Sequence, residues 1–273
     1  MEIVVCAMAK NEHLYINEWV EHYINLGFDK IYIYDNDELD SPYIANFINQ
    51  KLLDKCVIKN IRGQKRPKLQ HDIYTGFYHK YGKTFSWCLF CDIDEFLFGI
   101  DDIHSYLSQK RFENVEQIRV KWKLFGDDDL ITRDMSKKVV DTFKHEVKNS
   151  LNRNLVNLGN LEKQGKMIVK GGLDSVVIRS PHFASYSFRD NVIPSVLPSG
   201  KLCSSKVVIE EDYSNENVYL HHYMTKSLDE FINQKLSRTD AVFGNTIPLD
   251  YYWRINKKTP NKLEYLRNKG FKV

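Results

Sequence analysis

The chain has 273 residues, enough for one large α/β domain or for a domain with an added subdomain. Its 42% hydrophobic and 27% charged residues are ordinary for a globular protein, and a formal charge of +3 is too small to argue for nucleic acid as a partner. It has no run of about eighteen apolar residues, which excludes a membrane-spanning helix.

Residues 3–8 read as a strand from the outset, which leaves no room for a signal peptide. Asn11 is placed to cap the helix that follows. Leu14, Trp19, Tyr23, Ile24 and Leu26 fall roughly on one face of that helix, and Gly27 ends it. Residues 30–34 form a second strand, closed by Asp35-Asn36-Asp37. Ser41-Pro42 is a helix start with Pro at the first helical position. Residues 56–58 are a short third strand, and Arg62, Lys65, Arg66 and Lys68 form a basic loop. A helix over 69–81 and a fourth strand over 85–91 complete an alternation. Strand and helix follow each other as in a mainly parallel, doubly wound sheet.

The second half is less regular. Residues 115–124 read as a strand ending in Trp122-Lys123-Leu124-Phe125-Gly126. The polar stretch 127–165 reads as loops over a site, with one helix around 139–147. Short strands are expected at 167–169, 176–178, 207–209 and 218–223. Ser227-Leu228-Asp229-Glu230 is a capping box, so a helix begins at Leu228. From Trp253 the tail carries seven Lys/Arg and one Glu. The five cysteines are odd in number and lie mostly in apolar runs, so reduced core thiols in a cytoplasmic protein are expected. Cys88 and Cys91 have C-x-x-C spacing, but a buried strand suits neither redox nor zinc chemistry.

The apolar run Trp87-Cys88-Leu89-Phe90-Cys91 ends abruptly in Asp92-Ile93-Asp94-Glu95. Carboxylates that close repel one another unless a cation or bound water screens them. A divalent metal that also holds a nucleotide diphosphate would be such a cation. In an open parallel sheet, ligands bind beyond the carboxyl ends of the strands. Three segments fall there: 9–12, 35–37 and 92–95. Neither G-x-G-x-x-G nor a P-loop is present, so a phosphate ligand has to be neutralised by metal and basic side chains.

Lys10-Asn11-Glu12, Glu18-Trp19, His22-Tyr23 and Leu26-Gly27 stand in order before Ile33-Tyr34-Asp35-Asn36-Asp37 and Asp92-Ile93-Asp94-Glu95-Phe96. Trp122, Phe125-Gly126, His222-Tyr223, Lys226-Ser227, Glu230-Phe231, Lys235 and Arg238 continue the series. This order resembles a GT-A-fold glycosyltransferase, most similar to family 92 and the related family 2-like group. The resemblance covers residues 1–126 and 217–240, and 127–216 match only in outline. It implies an α/β fold of the GT-A type, with a mainly parallel doubly wound sheet and a small mixed α/β C-terminal part. Residues 1–240 would form the glycosyltransferase domain, with a nucleotide-sugar half (1–126) and an acceptor half (127–240). Residues 241–273 would form a basic helical extension.

The resemblance further implies transfer of a sugar from a nucleotide diphosphate sugar, a UDP-sugar by expectation, to an acceptor hydroxyl. The acceptor would be a glycan or lipid-linked glycan of surface polysaccharide synthesis, and the transfer inverting. Asp92 and Asp94 would hold Mn²⁺ or Mg²⁺, unless Asp92 only caps the next turn. His222 is the expected third ligand, with His182 in reserve; on a strand only one of His221 and His222 can face the metal. Ala7, Ala9, Lys10, Glu12 and Asp35 would line the donor pocket, joined by Arg66, Gln70, Asp92, Ile93 and Lys226. Lys235 and Arg238 lie one turn apart and either reach the site or form a solvated face. The catalytic base would be Asp127 or Asp128, with Asp129 and Asp174 as further candidates. Glu95 either orients the acceptor or supports its loop. Trp122 and Phe125 either wall the acceptor or belong to the core. Tyr251, Tyr252 and Trp253, followed by the basic tail, suit a peripheral contact with an anionic membrane, at its inner face. The competing readings are a metal-dependent nucleotidyltransferase or phosphohydrolase, and a silent nucleotide-sugar binding module.

Overall fold

The computed structural model describes residues 1–147, 160–188, 192–205, 207–236, 238 and 246–273. The polar segment at 148–159 and the expected boundary at 240/241 therefore lie outside the described residues.

The first half builds a parallel sheet. Strand β1 (Ile3–Ala9), helix α1 (Ile16–Asn25), β2 (Lys30–Asp35), β3 (Cys56–Asn60), α2 (Leu69–Phe77) and β4 (Trp87–Phe90) follow in order. Parallel pairing runs β3-β2-β1-β4. Alternation along β1 explains why helices cover both faces. Ile3, Val5, Ala7 and Ala9 pack with Trp19, Val20 and Tyr23 of α1, whereas Val4 and Cys6 pack with Tyr74 and Phe77 of α2. Burial of each such large side chain stabilises by about 1.5–3 kcal/mol.

The second half extends the sheet with mixed polarity. It contains β5 (Glu95–Phe98), α3 (Ile103–Leu107), β6 (Gln117–Leu124), α4 (Val139–Thr142), β7 (Gly165–Lys170), β8 (Val176–Ser180) and β9 (Phe183–Tyr186). Then come β10 (Ser195–Val196), β11 (Leu202–Cys203), β12 (Tyr219–His222), α5 (Leu228–Gln234), α6 (Leu249–Tyr252) and α7 (Pro260–Asn268). Strand β7 runs antiparallel between β4 and β6. The early part of β6 pairs with β10, and its late part diverges to pair with β12. Strand β5 pairs antiparallel with β12 and sets His222 opposite Glu95. Two glycines permit these approaches. A Cβ on Gly99, at φ +93°, would meet the Asn217 carbonyl at 2.0 Å, and one on Gly165 would meet the Val120 carbonyl at 2.1 Å.

The α/β class and mainly parallel core are as expected, and several local readings are corrected. Asn11 does not cap α1; it sits at φ 56° with its N–H donated to Asp37, and the helix starts at Ile16. Leu14 is exposed, because it lies before that helix. Ser41-Pro42 leads only to a 3₁₀ turn at Ile44–Phe47. The helix expected around 139–147 stops at Thr142, and Glu146 instead bridges Phe125. Residues 207–209 are irregular. The capping box at Ser227 and Glu230 forms as expected. Cys88 and Cys91 are buried thiols in and just after β4.

The C-terminal segment is integral to the fold. Tyr252 and Leu266 pack with Leu228 and Phe231 of α5. Lys262 is fully buried, with Nζ 2.5 Å from Asp127. Two residues expected in a membrane-facing tail, Tyr252 and Lys262, are therefore turned inward. Among the described residues, no helix is long and apolar enough to cross a membrane.

Candidate active site

Three carboxylates gather where β4 hands over to β5. Helix α1 fixes this turn from below: the Trp19 indole N–H and the Tyr23 hydroxyl donate to the Glu95 carbonyl at 3.0 and 3.1 Å. His22 Nε2 lies 2.9 Å from the Leu97 carbonyl, two residues further along β5. The polar tips of three core aromatics thus hold an otherwise unpaired strand edge.

Each acid has a different environment. Asp92 accepts hydrogen bonds from Gln70 Nε2 and Lys166 Nζ, both at 2.7 Å. Burial opposes its charge, but Lys166 outweighs that and holds the Asp92 carboxyl below its ordinary range. Asp94 is buried and pairs with Lys235 Nζ, with His222 Nε2 3.4 Å from its other oxygen. Burial again opposes ionisation, yet Lys235 and His222 hold this carboxyl well below the usual value. Glu95 is fully buried and accepts the Asp92 N–H at 3.1 Å. Burial pushes its carboxyl well up, and the charges of Asp92 and Asp94 add to this.

A cavity of about 420 Å³ opens above the acids. Met8, Lys10, Glu12 and Asn36 form its β1–β2 side, and Gln64, Lys65, Arg66 and Gln70 a second wall. Trp122, Pro181 and His182 stand opposite, with Lys235, Arg238, Ile247 and Tyr251 completing the rim. Its mouth is basic while its floor is acidic, an arrangement suited to a polyanion carried with a cation.

The floor fits a divalent cation. Asp94, Glu95 and His222 each offer one ligand atom, all within 4.8 Å of one another. Glu95 Oε1 and His222 Nδ1 are buried without any hydrogen-bond partner. Such groups cost free energy unless something pairs with them. His221 faces the other way and stacks on Phe98 at 4.2 Å, as strand alternation requires.

The sequence model of glycosyltransferase family 92 matches residues 1–247. The chain belongs to glycosyltransferase family 92. A family 92 protein of Ricinus communis is 27% identical over 136 residues, 46% of this chain. The matched region spans only 23% of that relative's length. Among solved structures, S. aureus TarS aligns with 82% of this chain and 37% of its own, at 11% identity and TM-score 0.41. A putative glucose-1-phosphate thymidylyltransferase from Bacillus anthracis, solved in complex with a sucrose, aligns with 49% of this chain and 61% of its own, at 10% identity and TM-score 0.31.

Within this family 92 chain, the cleft brings together Lys10, Glu12, Arg66, Gln70, Asp92, Ile93, Asp94 and His222. The expected metal set was Asp92, Asp94 and His222. Asp94 and His222 do meet, but Glu95 stands with them, and Asp92 spends both oxygens on Gln70 and Lys166. His182 lines the cleft, yet its Nδ1 lies 2.8 Å from the Gly165 carbonyl and its ring packs on Trp122.

Other expected residues lie elsewhere. Ala7 and Ala9 point into the α1 core, because alternation gives the cleft to Met8 and Lys10. Asp35 is fully buried and accepts N–H groups from Asp37 at 3.2 Å and Ile44 at 3.4 Å, so its carboxylate closes the turn after β2. Lys226 is buried away from the cleft lining, with Nζ 3.9 Å from the centre of the Tyr15 ring. Asp127 accepts from Tyr252 and pairs with Lys262, while Asp128 accepts the Lys144 N–H at 2.8 Å and the His145 N–H at 3.2 Å. Asp129 pairs with Lys262 at 3.0 Å. Asp174 is exposed and pairs with Lys83 at 2.9 Å, near the opposite end of β4.

Lys166 was missed by sequence reasoning. It is 1% exposed, on β7, and its pKa is raised because Asp92 and Glu95 outweigh the opposing effect of burial. The only signal was a lysine abutting the apolar run Met167-Ile168-Val169, which equally describes the end of a strand.

Proposed function

We propose that this chain transfers a sugar from a nucleoside diphosphate sugar, of the UDP class, to an acceptor hydroxyl. The observation that carries the reading is a pair of buried atoms without hydrogen bonds, Glu95 Oε1 and His222 Nδ1, which face each other at 4.0 Å beside Asp94, just beneath a basic-rimmed cleft lined by Asp94 and His222. Asp94, Glu95 and His222 would hold Mn²⁺ or Mg²⁺. The cation would supply Lewis-acid stabilisation to the charge that builds on the departing diphosphate.

The chain's own groups perform the remaining tasks in this reading. Lys10, Arg66 and Arg238 line the approach and attract the phosphates. Gln70 and Lys166 hold Asp92 at the cleft floor. Trp122 and His182 supply a wall against which a sugar ring can lie. Asp127 and Asp128 are committed to other partners and do not line the cleft, so neither serves as the base in this reading, and Glu95 is kept as a cation ligand. In this reading the transfer is inverting and the acceptor hydroxyl belongs to a glycan or lipid-linked glycan. Arg254, Lys257, Lys258 and Arg267 are exposed and support contact with an anionic surface.

The test is a UDP-release assay with a panel of UDP-sugars, in Mn²⁺ and in EDTA. Metal-dependent UDP release with at least one donor and a glycan acceptor is expected. Release of sugar 1-phosphate in place of UDP would favour the nucleotidyltransferase reading, in which the bond between the two phosphates breaks.

A further inference from the structure

Lys235 is paired with Asp94, a member of the candidate cation site. It follows directly on α5, is 8% exposed, and places Nζ on Asp94 Oδ2. The other Asp94 oxygen is the one facing His222 Nε2, at 3.4 Å. Lys166 differs: its Nζ lies 2.7 Å from Asp92 but 3.6 Å from Glu95 Oε1, which stays without a hydrogen bond. The two lysines are therefore not equivalent. Lys166 makes its hydrogen bond to the acid beside the triad and only stands near Glu95, whereas Lys235 is bonded to a member of the triad.

We propose that Lys235 guards the cation position: its ammonium balances Asp94 until a divalent cation arrives, and is then driven onto the diphosphate of the donor. The inference rests on the cation-assisted transfer proposed above. Two positive charges on one buried carboxylate repel strongly in a low-dielectric site. The ammonium is a point charge on a flexible four-carbon stem, so it can turn while the backbone stays in place. Lys235 already lines the cleft beside Tyr251 and Arg238. Arg238 cannot take over its role at Asp94, because its guanidinium is held by the Lys10 carbonyl at 2.8 Å and Glu12 at 3.2 Å. The released ammonium would lie within the cavity that a diphosphate fills. Metal and nucleotide would then strengthen each other's binding, since each gives Lys235 a reason to leave Asp94.

The experiment measures Mn²⁺ binding by calorimetry, with and without UDP, for the wild-type chain, Lys235→Met and Lys166→Met. Lys235→Met is expected to bind Mn²⁺ alone about tenfold more tightly than wild type, and UDP at saturating Mn²⁺ about tenfold more weakly. Lys166→Met, which removes a charge near Glu95 but leaves Lys235 on Asp94, should gain clearly less Mn²⁺ affinity than Lys235→Met. Amine footprinting of the wild-type chain covers the case in which Lys235→Met fails to fold: Lys235 should be acylated faster once Mn²⁺ is added. Equal Mn²⁺ affinity in wild type and Lys235→Met, or a footprint unchanged by bound Mn²⁺, overturns the guard and leaves the cation clamp standing. No Mn²⁺ uptake by any of the three chains, even with UDP, removes the clamp and the guard together.

Discussion

Lys166 holds its ammonium 2.7 Å from the Asp92 carboxylate, reaching it from β7, a strand antiparallel to the one that ends in that acid. The pair joins residues 74 positions apart. Removing Lys166 leaves Asp92, whose side chain is 34% exposed, with Gln70 as its remaining side-chain partner. Lys166→Met is expected to destabilise the fold by about 1.5–3 kcal/mol, the scale of a lost hydrogen bond to a charged group, read by urea denaturation. The double variant Lys166→Met/Asp92→Asn should lose clearly less than the sum of the single changes. Additive losses would mean that the two side chains do not act as a pair.

His222 tests the site at a side chain whose Nε2 faces Asp94 at 3.4 Å and whose Nδ1 makes no hydrogen bond. His222→Asn should retain the fold by circular dichroism. Its metal-dependent UDP release should fall on the order of a hundredfold, the scale of losing an electrostatic stabiliser at the reacting centre. His221→Asn, which alters the opposite face of β12, should change turnover far less. Equal losses in the two variants would argue for a general disturbance of the strand.

A third expectation concerns pH. Burial lowers the pKa of His22 from 6.5 to about 4, Lys138 adds to this, and the Leu97 carbonyl opposes it. The unfolded chain therefore binds a proton below pH 6.5 that the folded chain refuses until about pH 4. Stability contributed by neutral His22 is full above that window and is lost as pH falls through it. The unfolding free energy should decline between these limits, and His22→Gln should flatten the decline. An unchanged pH slope in His22→Gln would contradict this assignment.

The C-terminal segment offers a fourth. Asp127 accepts the Tyr252 hydroxyl, pairs with Lys262 at 2.5 Å, and donates its N–H to Asn256 at 2.8 Å. Asp127→Asn should lower the melting temperature, while kcat, measured where the variant is folded, stays within about threefold of wild type. A large kcat loss with normal stability would restore Asp127 as a candidate base. Lys257→Glu/Lys258→Glu alters the exposed basic face without touching this network. Unchanged co-sedimentation of that variant with anionic liposomes would remove the membrane contact.

The first half of the molecule was legible in the sequence because each of its strands is a short apolar run bounded by turn residues. The D-x-D stretch stood out because such a run ends in charge. His222 was singled out through the resemblance of His222-Tyr223 to the family's pattern, and alternation required only that His221 face the other way. Strand β5 was hidden: four residues, directly behind the acids, resemble the loop that they replace. Lys166 and Lys262 escaped because a lysine is read as surface until its partner is known. Their partners, Asp92 and Asp127, are distant in sequence. Asp35 misled for the opposite reason. Its turn chemistry and its ligand chemistry look alike in one dimension, and only the Asp37 and Ile44 N–H groups separate them.

The central claim is that Asp94, Glu95 and His222 hold a divalent cation that clamps the donor's diphosphate. Calorimetric titration of UDP into the wild-type chain, once in Mn²⁺ and once in EDTA, tests it most directly. Binding that requires Mn²⁺, and disappears in Asp94→Asn, is the predicted result. UDP binding of equal strength in EDTA would contradict it.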